Sequence, residues 1–169
     1  FIVELGKVSQ PVSRPGEGNG LSRYGEGPQT NAARNKSAFF RDYPCRMLIA
    51  EDNETNRRVL RSLLAQLGYR PVCVENGQEA LEVLQKKDFD LIFMDIRMPV
   101  MDGLEAARMI RKNLPRDRQP KIVALTAHVV QGEKEKCLLS GMDDFIAKPI
   151  TTEKLRETVQ THSVSDRSL

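Results

Sequence analysis

From residue 46 onward, short apolar runs alternate with segments in which apolar residues recur every three or four positions. The runs predict β-strands and the recurring positions predict amphipathic helices. The predicted strands cover residues 47–50, 71–74, 91–94, 122–125 and 143–147. The predicted helices carry the apolar sets Val59, Leu60, Leu63, Leu64 and Leu67; Ala80, Leu81 and Leu84; Leu104, Ala107 and Ile110; residues 130–140; and Leu155 and Val159 within residues 152–160. Asn53 and Gly68 are suited to begin and end the first helix. This alternation indicates a parallel sheet with helices on both faces.

Residues 6–44 differ from the rest of the chain in being rich in glycine and proline and poor in aliphatic residues. Such a segment cannot bury enough apolar surface to offset its ordering entropy, so we expect a flexible linker. Residues 1–5 predict a single strand, which we interpret as the remnant of an upstream domain. We expect the folded domain to span residues 45–162, followed by a disordered tail at residues 163–169. The chain starts without a methionine, and we expect it to be part of a longer protein.

Polar residues follow four of the predicted strands where each strand ends. They are Glu51, Asp52, Asp95, Thr126 and Lys148. A carboxylate such as Asp95 is not stable in an apolar core without a partner, so its strand must deliver it to a polar pocket. The carboxyl ends of parallel strands lie at one edge of the sheet, where such sheets bind ligands. We therefore expect one site built from three acids, a hydroxyl and an ammonium group.

The three carboxylates of Glu51, Asp52 and Asp95 would repel one another in one crevice unless a cation neutralised them. Hard oxygen ligands carrying this much charge suit Mg²⁺, which is the cofactor we expect. Glu51 and Asp52 alone are also compatible with a simpler role, because acids stabilise the start of a following helix. That role does not require a third carboxylate on a neighbouring strand, so the metal site is the better interpretation.

Lys148 and Thr126 extend this chemistry to a phosphoryl group. Lys148 precedes Pro149, which favours an extended backbone and lets the long side chain reach across the strand ends. A solvated lysine is the simpler interpretation of any one lysine. With Thr126 ending the preceding strand, ammonium and hydroxyl together are typical of a phosphate clamp. Asp95 is then the natural nucleophile, because carboxylates can form acyl phosphates.

Composition narrows the class of protein. Of the 169 residues 40% are hydrophobic and 29% are charged, and no apolar run approaches the roughly 20 residues of a membrane helix. The net charge of +3 is small, so we expect neither nucleic-acid binding nor direct membrane contact. Cys45, Cys73 and Cys137 lack metal-ligand spacing and indicate reduced thiols in a cytoplasmic protein.

The motifs resemble the receiver domain of two-component response regulators. The matching residues are Glu51-Asp52, the segment from Met94-Asp95 to Asp102-Gly103, Leu125-Thr126-Ala127 and Lys148-Pro149, in the order and spacing of the family. The resemblance covers about residues 46–160. It implies an α/β fold of the flavodoxin-like (βα)5 type, a doubly wound sandwich with a five-stranded parallel sheet in strand order 2-1-3-4-5.

The resemblance also implies residue roles. Asp95 would accept a phosphoryl group from a phosphohistidine, and the metal ligands would be Asp52 directly, Glu51 mostly through water, Asp95 and the backbone carbonyl of Arg97. Thr126, Ala127 and Lys148 would bind the phosphate, and Thr126 would swing toward it. Phe145, at a position where many members have tyrosine, would turn inward with Thr126, and Lys148-Pro149 is expected to be a cis peptide.

Residues 49–56 and 141–149 look especially like receivers fused to hybrid sensor kinases, and residues 1–5 resemble the final strand of a kinase ATP-binding domain. The resemblance therefore implies a histidine kinase as the full-length parent, which a membrane segment could anchor. The expected partner is the dimerisation domain of a histidine kinase or a histidine phosphotransfer protein. The domain itself would only assist its own phosphorylation and dephosphorylation.

Three other functions compete with phosphoacceptor signalling. A phosphatase with an aspartate nucleophile needs a second aspartate two residues later as general acid, and Arg97 occupies that position. A flavin or nucleotide site places glycines and hydroxyls in the first loop, whereas Glu51 and Asp52 would repel a bare phosphate. A receiver used only as an interaction module, without phosphorylation, is the third alternative. It does not require the acids, the threonine and the lysine that are all present here.

Overall fold

In the computed structural model, which describes residues 38–127 and 131–163, strands and helices alternate along the chain. The strands are β1 (Met47–Ala50), β2 (Val72–Val74), β3 (Leu91–Asp95), β4 (Lys121–Thr126) and β5 (Asp144–Ala147). The helices are α1 (Glu54–Gln66), α2 (Gly77–Lys86), α3 (Gly103–Asn113), α4 (Gln131–Leu139) and α5 (Thr152–Ser163), and a 3₁₀ turn covers Arg116–Arg118. The predicted strands and helices are confirmed, with small differences at their ends.

The five strands form one parallel sheet in the order β2-β1-β3-β4-β5. This is the doubly wound order that the resemblance implied. The chain reverses its direction of progress across the sheet between β1 and β3, and ligands of such sheets bind outside the strand ends at that point. Ala50 lies opposite Met94 in the register of β1 and β3, so the residues that follow Ala50 and Met94 meet.

Successive strand residues point to opposite faces of the sheet and build two apolar cores. Leu48 and Ala50 of β1 face the core that is covered by α2, α3 and α4. Met47 and Ile49 face the other core, which is covered by α1 and α5. The central strands are buried on both faces, which explains why their sequences are continuous apolar runs rather than alternating ones.

The ends of α1 are those predicted from the sequence. The side chain of Asn53 accepts a hydrogen bond of 3.0 Å from the amide of Asn56, and Gly68 has a positive φ of 97° just after the helix. The predicted apolar face was wrong at Val59, which is 52% exposed. The buried stripe runs through Leu60, Leu64 and the following Leu67, and the neighbouring position points about 100° away from it.

The predicted domain boundary at residue 45 was wrong, because residues 38–44 are part of the folded domain. Residues 38–42 are helical, and Phe39 is only 6% exposed in the core beside α1 and α5. The Tyr69 hydroxyl donates a hydrogen bond of 2.6 Å to the Tyr43 carbonyl, and the guanidinium of Arg156 lies 4.6 Å from the Phe39 ring centroid. Aromatic side chains such as those of Phe39 and Tyr43 supply apolar surface for burial that glycine and proline do not.

Two other predicted segments lie wholly or partly outside the described residues. The upstream remnant predicted at residues 1–5 lies wholly outside them, and so do residues 6–37 of the linker predicted at residues 6–44. The tail predicted at residues 163–169 begins one residue too early, because Ser163 closes α5. Residues 164–169 lie outside the described part of the chain.

Candidate functional site

The three predicted acids meet at the carboxyl ends of β1 and β3. Glu51 and Asp52 follow the last residue of β1, and Asp95 is the last residue of β3. One carboxylate oxygen from each residue lies within 4.8 Å of the other two. Glu51 is 1% exposed, Asp95 is half-buried and Asp52 is open to solvent. Glu51 therefore lies at the buried base of the site, and Asp52 lies at its solvent-exposed rim.

Lys148 joins the cluster from the end of β5. Its Nζ lies 2.8 Å from Glu51 Oε2 and 2.7 Å from Asp95 Oδ2, and its backbone amide donates a hydrogen bond of 2.7 Å to the Thr126 carbonyl. The Lys148–Pro149 peptide is cis, as expected. One ammonium group thus bridges two of the three carboxylates and leaves the cluster with a formal charge of −2, from three acids and one lysine.

The pKa values of the cluster reflect this excess of negative charge. Burial raises the pKa of the Glu51 carboxyl above its ordinary value, and the charge of Asp95 adds to that effect, although hydrogen bonds from Lys148 and Asn56 oppose it. Burial lowers the pKa of the Lys148 ammonium, but its hydrogen bonds and charge interactions with Asp95 and Glu51 outweigh burial and raise it. The raised pKa values of Glu51 and Lys148 both mean that these groups hold their protons more tightly, so the site favours additional positive charge.

Two residues of α1 that sequence reasoning missed orient the acid pair. Asn56 Nδ2 donates a hydrogen bond of 2.9 Å to Glu51 Oε1. Arg57 Nη1 donates hydrogen bonds to the backbone carbonyls of Glu51, at 2.7 Å, and Asp52, at 3.2 Å. The other arm of Arg57 pairs with Glu75 at 2.8 Å. A signal was available, because polar residues in the first turn of a helix that follows the acids point back toward them.

The turn after β3 is packed closely against Asp95. A Cβ atom at Gly103 would clash with the Asp95 carbonyl oxygen, so only glycine fits there. The Gly103 amide donates a hydrogen bond of 2.9 Å to the Ile96 carbonyl, which closes the turn. The Arg97 amide donates to Asp95 Oδ1 at 3.3 Å, while the Arg97 side chain is exposed. The predicted backbone ligand Arg97 is therefore adjacent to the carboxylate of Asp95.

Thr126, Ala127 and Phe145 lie on the β4 and β5 side of the site. Thr126 ends β4, is 5% exposed, and its hydroxyl donates a hydrogen bond of 2.7 Å to Glu133 Oε2 on α4. Ala127 follows it and is exposed. Phe145 on β5 is half-buried, with Lys134 Nζ 5.0 Å from its ring centroid. The contacts of Glu133 and Lys134 were not foreseen, since both residues belong to a charged helix with little apolar periodicity.

The donor set of this site fits Mg²⁺. The available ligands are carboxylate oxygens, the net charge is that of a divalent anion, and Asp52 at the rim leaves room for the waters that Mg²⁺ keeps. Among the residues that the structure describes, the cluster contains carboxylates without a sulfur or imidazole ligand, and such a set favours a hard cation over a softer metal.

The geometry is matched by known proteins. A family model described as response regulator receiver domain matches residues 47–160. The chain belongs to the response regulator receiver domain family. The sensor histidine kinase GacS of Pseudomonas protegens is 41% identical over 116 residues, which are 68% of this chain and 13% of GacS. The chain spans between 4% and 15% of the length of the curated relatives that it matches.

Two solved structures are similar to this receiver domain. The receiver of the sensor histidine kinase PA1611 from Pseudomonas aeruginosa, with magnesium coordinated in its active-site cleft, is 39% identical with a TM-score of 0.66, covering 72% of this chain and 98% of that one. The receiver of Saccharomyces cerevisiae Ssk1, solved with the histidine phosphotransfer protein Ypd1, is 35% identical with a TM-score of 0.64, covering 70% and 88%. The domain is thus a receiver of two-component phosphorelay signalling, homologous to those of hybrid kinases. Within its described residues, no helix has the length and apolar character needed to cross a membrane.

Proposed function

We propose that this receiver accepts a phosphoryl group on the carboxylate of Asp95 from a phosphohistidine, in a reaction that depends on Mg²⁺. The observation that carries the proposal is the position of Asp95. It ends the central strand β3 with one oxygen 2.7 Å from an ammonium group and two further carboxylates within 4.8 Å. An Asp95 oxygen would form the new bond to phosphorus as the bond between phosphorus and the histidine nitrogen breaks, and that nitrogen would take a proton from solvent.

The residues of the site have complementary proposed roles. Glu51, Asp52, Asp95 and the backbone carbonyl of Arg97 would hold Mg²⁺, which when bound offsets the negative charge on the phosphoryl oxygens. Lys148 keeps its positive charge beside Asp95 and would contact one phosphoryl oxygen. Thr126 and Ala127 would contact the others, and Phe145 would move together with Thr126. The resulting change of conformation is the proposed output.

The proposed partner is the dimerisation domain of a histidine kinase or a histidine phosphotransfer protein, and the proposed parent is a cytoplasmic or membrane-anchored hybrid histidine kinase. The similarity to the GacS receiver supports the parent. The similarity to the Ssk1 receiver, which was solved with such a phosphotransfer protein, supports the partner. The domain would assist its own phosphorylation and dephosphorylation and would have no other substrate.

The test is labelling of the wild-type receiver and of Asp95→Asn with a small phosphodonor in Mg²⁺, followed by intact-mass spectrometry. We expect a single added phosphoryl group on the wild type, lost on mild base treatment, and none on Asp95→Asn. Asp117→Asn, an exposed aspartate outside the site, is the matched control and should label normally. Labelling of Asp95→Asn at the wild-type level would overturn the assignment, and an unlabelled wild type would favour an interaction module that is not phosphorylated.

A further inference from the structure

The first turn of α4 contacts both residues that are proposed to move on phosphorylation. Glu133 Oε2 accepts a hydrogen bond of 2.7 Å from the Thr126 hydroxyl, and Nζ of the next residue, Lys134, lies 5.0 Å from the ring centroid of Phe145. These contacts come from adjacent positions of one helix. A movement of this turn would therefore affect Thr126 and Phe145 together.

The hydroxyl of Thr126 has one proton to donate. In the structure that proton is directed to the carboxylate of Glu133, which is a strong, charge-assisted acceptor. It cannot be donated at the same time to a phosphoryl oxygen on Asp95. The two acceptors are also alike in charge, because Glu133 and an acyl phosphate are both anions. Phosphorylation at Asp95 and the bond between Thr126 and Glu133 are thus competing states.

The packing of α4 indicates that the Thr126–Glu133 hydrogen bond can be broken at a low cost in free energy. Among its described side chains Cys137 is buried, whereas Leu138 and Leu139 are exposed and the remainder are charged and exposed or half-buried. The first turn is therefore held by Glu133 and Lys134 rather than by a large apolar face. An element with few buried contacts is one that can occupy a second arrangement.

We propose that Glu133 is a positioning residue that holds the Thr126 hydroxyl away from the phosphoryl site in the resting receiver, so that it opposes phosphorylation at Asp95. This inference rests on the proposed function of Asp95. Removal of Glu133 frees the Thr126 proton for the phosphoryl group and also removes a negative charge from its surroundings. Both effects favour the phosphorylated state.

The experiment compares wild type, Glu133→Ala and Glu133→Gln for the rate of labelling by a small phosphodonor in Mg²⁺ and for the fraction phosphorylated at steady state. We expect Glu133→Ala to label faster by about tenfold, the factor that corresponds to one charge-assisted hydrogen bond of ordinary net strength. Glu133→Gln keeps an acceptor oxygen of the same reach without the charge, so we expect a smaller increase. Glu135→Ala removes the same charge from an exposed position two residues further along α4 and should label like the wild type.

The decisive measurement repeats the substitution in a Thr126→Ala background. If Glu133 acts mainly through the Thr126 hydroxyl, Glu133→Ala should have a much smaller effect there, limited to the loss of its charge, because the two residues are coupled. An equal increase in both backgrounds would overturn the proposal, since Glu133 would then act through its charge alone, and so would an unchanged rate in Glu133→Ala. A wild-type receiver that is not labelled would overturn the function of Asp95 and this inference together, whereas normal wild-type labelling with an unchanged Glu133→Ala overturns only the latter.

Discussion

Both ends of the parallel sheet carry carboxylates, but the amino ends of the strands pair them with cations, whereas at the carboxyl ends one lysine faces a cluster of three acids. At the amino ends, Asp143 accepts from Arg111 at 2.7 Å, from Lys121 at 3.1 Å and from the Ile122 amide at 2.8 Å. Asp90 likewise accepts three hydrogen bonds from Arg46, two from its side chain and one from its backbone amide. These acids have their charges and hydrogen bonds matched within the fold.

At the carboxyl ends, Lys148 offsets one of the three negative charges of Glu51, Asp52 and Asp95. Burial raises the pKa of Glu51, so its charge is a cost to the folded state rather than a gain. A fold can keep such a cluster only because packing elsewhere is sufficient. Carboxylates therefore have different uses at the two ends of the sheet. At the amino ends they stabilise the fold through ion pairs, and at the carboxyl ends their excess negative charge is suited to bind a cation beside a phosphoryl group.

The largest expected effect comes from breaking the matched end. Asp143→Asn removes the charge that faces Arg111 and Lys121 and leaves the guanidinium of Arg111, whose pKa is lowered by burial, without its counter-ion. We expect the free energy of unfolding to fall by about 2–4 kcal/mol, measured by urea denaturation. Asp88→Asn is the control, because its pair with Arg118 is far more exposed, and it should cost less than about 1 kcal/mol. Equal losses in both variants would contradict the special role of Asp143.

Addition of Mg²⁺ tests the unmatched end. A ligand that binds only the folded state at one hundred times its dissociation constant stabilises by about 2.7 kcal/mol, so we expect the melting temperature of the wild type to rise with Mg²⁺ and to return with EDTA. Asp52→Ala should lose this rise far more completely than Glu51→Ala, because Asp52 is the proposed direct ligand. Equal losses would remove that assignment. Asp143→Asn, at the other end of the sheet, should keep the rise in full.

The smallest expected effect is the most direct test of the comparison. An aspartate-to-asparagine change lowers stability at Asp143, and we expect the same change at Asp95 to raise it. In EDTA, Asp95→Asn removes one of three mutually repelling charges, and we expect the free energy of unfolding to increase by about 1 kcal/mol, although Lys148 loses one partner. The gain should shrink or reverse in Mg²⁺, where the wild type gains more from the metal. Denaturation curves with EDTA and with Mg²⁺ would show it, and a loss of stability in EDTA would mean that the cluster is balanced after all.

The site residues were predictable because each one ends a strand. An apolar run that stops on Asp95 or on Glu51-Asp52 carries its own indication of where the charge must lie, and the parallel order follows from the alternation of strands and helices. Asn56, Arg57, Glu133 and Lys134 were missed because they act from helix surfaces. For Asn56 and Arg57 a signal was available, because both lie in the first turn of the helix that follows the acids. For Glu133 and Lys134 there was none, because a charged residue on a helix usually faces solvent and the sequence does not show which strand end it will meet.

The segment at residues 38–44 was missed for a similar reason. Composition averaged over residues 6–44 predicts a linker, yet Phe39 and Tyr43 lie near its end and their contacts with Tyr69 and Arg156 are distant in sequence. Val59 shows the opposite error, an apolar residue at a plausible helical position that faces outward.

The sequence by itself determined the parallel α/β fold, the identity of the acids, threonine and lysine at the strand ends, and the family to which they belong. These features are local, since strand periodicity and strand-end residues can be recognised without knowing any contact. Only the tertiary structure decided which carboxylates share Lys148, which helix accepts the hydrogen bond of the Thr126 hydroxyl, and that residues 38–44 belong to the domain. Each of these depends on packing between segments far apart in the chain, where the geometry of approach selects one partner among many of similar chemistry.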